Sequence, residues 1–219
     1  MLKSPINKAS LETIETATMV LCLDDSSPIT RKDASRACWH GDGRNRFFDK
    51  SLQFIVFDNG KAGFNGEHSM MDATPTSRLC DFICEGLDKG TLDLGSPSST
   101  PLPTPLKLAF DLNPPVLQAI DKAQVAFDAL IATQDLTPVF CPQYGKGLIK
   151  KFGVSPDAFA QMVLQLAYYK KNGVAAATYE SAQTKKFRWG RTETCRSVSN
   201  ESVEWVKAMQ DPNLSVWSY

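Results

Sequence analysis

Histidine is scarce in this 219-residue sequence: His40 and His68 are the only two, and each lies close to a glycine, Gly41 and Gly66. Imidazole takes up and releases protons near neutral pH, so an accessible histidine beside a carboxylate is a simple proton-transfer unit. Composition does not choose between the two, but His68 has Asp72 four residues on, in the run Phe64-Asn65-Gly66-Glu67-His68-Ser69-Met70-Met71-Asp72. If a helical turn begins at the histidine the pair are neighbours, and the carboxylate orients the ring or stabilises its charged form. A helix-capping pair is the alternative reading, and spacing alone leaves both open.

Two other places concentrate polar chemistry. Lys146-Gly147-Leu148-Ile149-Lys150-Lys151 lies just before a helix start at Ser155-Pro156-Asp157. Cationic side chains and free backbone N–H groups meet there, which suits an anion, although such clusters are commonly solvated surface and the nearby glycines do not form a P-loop. Thr178-Tyr179-Glu180-Ser181 and Arg191-Thr192-Glu193-Thr194-Cys195-Arg196-Ser197 read equally as ligand-facing strands or as an exposed sheet face. The cysteines, Cys22, Cys38, Cys80, Cys84, Cys141 and Cys195, are scattered. Cys80 and Cys84 share a helical face, but with two histidines in the chain they read as core thiols in a reducing compartment, and no metal site is expected.

The elements that must position these residues are mixed α and β. Residues 9–23 read as a short helix feeding a buried strand, Thr18-Met19-Val20-Leu21-Cys22-Leu23. Leu52 to Phe57 is an almost wholly apolar strand, and Asp58-Asn59-Gly60 supplies a tight turn. The glycine-rich stretch to Gly66 places His68 on or just after a second strand. Thr74-Pro75 reads as cap and first residue of a helix burying Leu79, Phe82, Ile83 and Leu87. Residues 95–105, with four prolines, form an extended surface loop. Pro114-Pro115 opens a helix through Ile131, and Leu136 to Phe140 reads as a strand. The domain boundary is expected near residue 133, giving domains 1–132 and 133–219. In the second, Ser155 caps a helix with Phe159, Met162, Val163 and Leu166 on one face, and a terminal helix spans about 202–209.

Lys+Arg and Asp+Glu are both 24, so the formal net charge is +0 and no global field would gather nucleic acid or anionic lipid. The start, Met-Leu-Lys-Ser-Pro-Ile-Asn-Lys, lacks the roughly 7–15 apolar residues of a signal peptide, and no run approaches the ~20 that span a bilayer. The ending Val-Trp-Ser-Tyr is not a peroxisomal tripeptide. The chain is expected to carry no targeting signal and no transmembrane segment.

Five ordered blocks, Asn45-Arg46-Phe47-Phe48-Asp49-Lys50-Ser51, Asp58 to Asp72, Gly145 to Phe159, Ala177 to Ala182 and Gly190 to Ser199, resemble consecutive blocks of the choline/carnitine acyltransferase family. They look most like its fungal carnitine acetyltransferases and cover nearly the whole chain, most weakly in the Pro-rich loop. The resemblance implies an α/β fold that is part of a two-domain, chloramphenicol-acetyltransferase-like architecture, with substrates entering a tunnel between domains. Residues 1–132 would belong to the first domain and 133–219 to the second.

The resemblance also implies roles. His68 matches the general base, which takes a proton from the carnitine hydroxyl or, in reverse, from the thiol of coenzyme A, and Asp72 matches its acidic support. Lys146, Lys150 and Asp157 match coenzyme A positions, and Ser181 lies along the same ligand. Tyr179 and Thr192 match residues holding the carboxylate of carnitine, a group that choline lacks. The implied partners are carnitine and acyl-CoA, with acetyl-CoA as co-substrate, no permanently bound cofactor, no acyl-enzyme, and a mitochondrial or peroxisomal location. Family members are several hundred residues longer, and their Ser-Thr-Ser oxyanion motif and a carboxylate-binding arginine are expected beyond Tyr219. Two readings follow: a truncated carnitine O-acetyltransferase, or an inactive fragment or interaction module that pairs with missing domain halves or a full-length relative.

Overall fold

The computed structural model describes residues 3–93, 95–96 and 100–214. Residues 97–99 of the Pro-rich loop, and the first two and last five residues of the chain with its Val-Trp-Ser-Tyr ending, lie outside them. The chain separates into two compact units, 1–139 and 140–219.

In the first unit, α1 (Pro5–Thr16) leads into β1 (Val20–Asp24), α2 (Arg31–Trp39) crosses over to β2 (Gln53–Phe57), and β3 (Ala62–Asn65) returns as a hairpin. β1 and β2 pair in parallel, with Cys22 beside Ile55, while β2 and β3 are antiparallel, with Gln53 opposite Asn65. The tight turn closes where expected: Gly60, at φ 76°, donates its N–H to Phe57 O. One sheet face is buried, with Cys22, Ile55 and Phe57 packed against Val20, Ala37 and Cys38. The other is not, for Leu21 and Leu23 are 56% and 68% exposed. Helix α2 was not anticipated, although Thr30 and Asp33 form a capping box that marks its start.

Then come α3 (Ala73–Asp88) and α4 (Pro114–Ala132). α3 begins two residues earlier than its Thr-Pro pair suggests, with Asp72 at the N-cap. Its expected core stripe is not buried, since Phe82 and Leu87 face solvent. α4 starts at Pro114, capped by Asn113, whose Oδ1 accepts from Val116 N. The segment between these helices is tied to α1. Asn7 exchanges hydrogen bonds with the Asp111 backbone, and Ser10 Oγ donates to Ala109 O. Residues 136–140 are not a strand: Val139 is exposed, and the stretch is anchored instead by Lys32 and Arg36, both paired with Asp135.

The second unit contains α5 (Lys146–Lys151), α6 (Pro156–Asn172), the hairpin β4 (Tyr179–Gln183) and β5 (Thr192–Arg196), and α7 (Asn200–Ala208). The basic cluster read as a helix lead-in is itself the short helix α5. α6 is capped as its sequence dictates, Ser155 Oγ accepting from Ala158 N, yet none of its residues is fully buried. Ile149 and Val206 are the buried apolar side chains among the described residues of this unit.

Candidate functional site

Three polar anchors build the frame that leads to His68. Arg46 has a side chain only 1% exposed and grips Asp24 through two bonds of 2.8 Å, Nη1 to Oδ1 and Nη2 to Oδ2. Nη2 also donates to Ala37 O, so one guanidinium joins the end of β1 to α2. The hydrogen bonds from Arg46 hold the Asp24 carboxyl below its ordinary pKa. Lys50, buried, donates Nζ to Glu15 O and Ala17 O, satisfying carbonyls at the end of α1. Gln53, fully buried in β2, accepts from Phe47 N through Oε1. The block Asn45 to Ser51 is therefore scaffold.

The second joint is between α2 and β3. Gly63 faces Cys38 so closely that a Cβ there would collide with the Cys38 sulfur. Two residues on, Asn65 Nδ2 donates to Cys38 O (2.9 Å) and Trp39 O (2.8 Å), two carbonyls at the end of α2. The chain then leaves the sheet, and His68 follows three residues later.

His68 lies in the non-helical connection between β3 and α3, with its side chain 66% exposed. Its Nδ1 is 3.7 Å from Asp72 Oδ1, too long for a hydrogen bond but close enough for a charge on the ring to be felt. Asp72 occupies the N-cap position of α3 without a side-chain capping bond. The pair thus meets through the loop and not through a helical turn beginning at His68. Beside it, Glu67 Oε1 accepts from Ser69 N and Ser69 Oγ, which lowers the Glu67 pKa. His40 stands in contrast. It is buried at the end of α2, where its Nδ1 donates to Gly41 O and its Nε2 is buried without a hydrogen-bond partner.

In the second unit, Lys146 and Lys150 are one helical turn apart on α5, and Asp157 is in the first turn of α6; all three are exposed. Tyr144 packs edge-on against Phe159, 6.0 Å between centroids, tying the entry of α5 to α6. In the hairpin, Tyr179 pairs with Arg196, Ser181 with Thr194, and Gln183 with Thr192. Opposed residues of an antiparallel pair share a face, so Tyr179, Ser181 and Thr192 stand together with Thr194 and Arg196 on one exposed face. On the other face, Gln161 Nε2 of α6 donates to Glu180 Oε2. Thr194 and Arg196, part of the polar run 191–197, join that face through the alternation along residues 192–196. Among the described residues, no group of three or more His, Cys, Asp or Glu is placed to hold a metal ion, and no helix is long and apolar enough to cross a membrane.

Comparison with known proteins gives this geometry a context. The sequence model of the choline/carnitine O-acyltransferase family matches residues 1–217. Among similar curated proteins, the mitochondrial carnitine O-acetyltransferase of Saccharomyces cerevisiae is 46% identical over 99% of this chain and 33% of its own length. The carnitine O-acetyltransferase of Homo sapiens is 39% identical over 98% of this chain and 36% of its own. The peroxisomal carnitine O-octanoyltransferase of Bos taurus is 35% identical over 97% and 36%. The chain therefore spans about a third of the length of the curated relatives it matches.

Proposed function

The chain belongs to the choline/carnitine O-acyltransferase family, and we propose that it carries the general base and part of both substrate sites of a carnitine O-acetyltransferase. The observation that supports this most is the accessible His68 beside Asp72 at the exit of β3, while His40 is buried at the end of α2. In the forward direction, His68 takes the proton of the carnitine hydroxyl as its oxygen attacks the thioester carbonyl of acetyl-CoA. The new C–O bond forms, the C–S bond breaks, and the imidazolium returns the proton to the departing sulfur. One group accepts and donates in turn, as a reversible transfer requires. Asp72 supports the charged ring from 3.7 Å.

The two units are assigned to the first and second acyltransferase domains. Lys146, Lys150 and Asp157 contact coenzyme A, the lysines near its phosphate, with Ser181 along the same ligand. Tyr179 and Thr192 hold the carboxylate of carnitine. Clustering of Tyr179, Ser181 and Thr192 on one hairpin face supports a shared ligand surface. Acetyl as the acyl group is favoured by the 46% identity to an acetyltransferase, against 39% to a palmitoyltransferase and 35% to an octanoyltransferase. The names of these relatives favour a mitochondrial or peroxisomal location. The test is acyl exchange by the purified chain with acetyl-, octanoyl- and palmitoyl-CoA, and with carnitine or choline as acceptor. Acetyl-CoA with carnitine should be the best pair; preference for choline or for a long chain contradicts the assignment.

A second reading has its own observation. Leu21 and Leu23 on the sheet and Phe82 and Leu87 on α3 are exposed in a chain a third the length of its relatives. On this reading the chain works as an interaction module, its apolar faces covered by the remaining parts of the family fold or by a full-length relative. Co-expression with such a relative should then yield a soluble complex, whereas independent purification of both chains contradicts it.

A further inference from the structure

The loop that carries His68 has no regular structure of its own, so its starting point must be fixed from outside it. That point is Asn65, the last residue of β3. A primary amide has two N–H donors, and here both bonds go from one nitrogen to two carbonyls, Cys38 O and Trp39 O. Those carbonyls lie at the C-terminal end of α2, where helical partners run out. Directly upstream, the missing side chain of Gly63 admits Cys38, so helix and strand are in register at two successive inward positions. We infer that Asn65 is a positioning residue for His68: its amide locks the end of β3 to the end of α2 and so sets where the catalytic loop departs. This rests on the reading of His68 as the base and deepens it.

Asn59 provides an internal control. It sits at the turn of the same hairpin and makes the same type of bond, Nδ2 to Pro28 O at 3.0 Å, but at the end away from His68. The experiment compares the wild-type chain with Asn65→Ala, Asn65→Gln, Asn59→Ala and His68→Ala. Two readouts are used: contact between the His68 ring and the Asp72 side chain by NMR, and the rate of acetyl exchange between acetyl-CoA and carnitine. Asn65→Ala should abolish the His68–Asp72 contact and lower kcat by roughly ten- to a hundredfold with KM little changed, the scale expected when a reacting group is displaced by about 1 Å. Asn65→Gln should recover part of both. Asn59→Ala should leave the ring contact in place and the rate within about twofold of wild type, far below that displacement effect. If Asn65→Ala keeps the ring contact, or if Asn59→Ala disrupts it equally, Asn65 has no positioning role. Failure of the base assignment has a different signature: His68→Ala then exchanges acetyl groups as fast as wild type, while the NMR contact still decides the role of Asn65.

Discussion

In the first unit the decisive polar groups point inward. Arg46, Lys50 and Gln53 are buried, and their bonds tie β1, α1 and α2 into one frame. In the second unit they point outward: Tyr179, Ser181 and Thr192 form an exposed hairpin face, and Lys146 and Lys150 stand on a short exposed helix. A base needs a fixed point of departure, which a frame of buried polar bonds provides. A ligand face needs unsatisfied groups, which become ordered when a ligand or neighbouring structure covers them. On the proposed function, the first unit carries the proton-transfer group on a frame of buried polar bonds and the second presents an exposed polar face to the ligand.

The comparison breaks most visibly at Arg46. Arg46→Met takes the cation from Asp24, which is partly buried and keeps a bond from Asn45, and should destabilise the first unit by about 2–3 kcal/mol, read as a shift in urea midpoint. The same pair sets a pH dependence. The Asp24 pKa is depressed in the folded chain, so its contribution is present above the unfolded value of about 3.9 and is lost as pH falls through the lower folded value. Wild type should therefore lose stability in that acid window, and Arg46→Met should lose less. The exposed residues assigned to ligands on the proposed function behave differently. Lys150→Ala should raise KM for acetyl-CoA about tenfold, and Tyr179→Phe should raise KM for carnitine by a similar or smaller factor, the loss of one charge-assisted contact each. Neither should move the unfolding midpoint. The smallest effect is local: Ser199→Ala removes the cap of α7, where Ser199 Oγ accepts from Ser202 N, and should cost about 1 kcal/mol.

How much of this was legible in the sequence follows from the range of each interaction. The β2 strand and its turn, the Ser155 and Pro114 helix starts, and the place of His68 after β3 are local, and local patterns carried them. The strand expected at 136–140 failed because its apolar pattern meets no partner strand among the described residues, and long-range ion pairs to Asp135 fix it instead. α3 starts early because Asp72, and not Thr74, adopts the cap geometry. The stripe of Leu79, Phe82, Ile83 and Leu87 pointed to burial, but Phe82 and Leu87 are exposed, because the described residues supply nothing for that side of α3 to pack on. The scaffold role of Arg46 and Lys50 was invisible, since their partners lie 22 and 33–35 residues away. For His68, spacing left capping and catalysis open. The structure removes the helical-turn argument, yet it leaves ring and carboxylate adjacent and the other histidine buried.

The central claim, that His68 moves the proton, is tested most directly by acetyl exchange between acetyl-CoA and carnitine in the wild-type chain and in His68→Ala at equal concentrations, with folding monitored by the urea midpoint. The mutant should keep its midpoint, because the side chain is exposed, and lose roughly 10²- to 10⁴-fold in rate, the usual worth of a general base. Equal rates in two folded proteins would contradict the account.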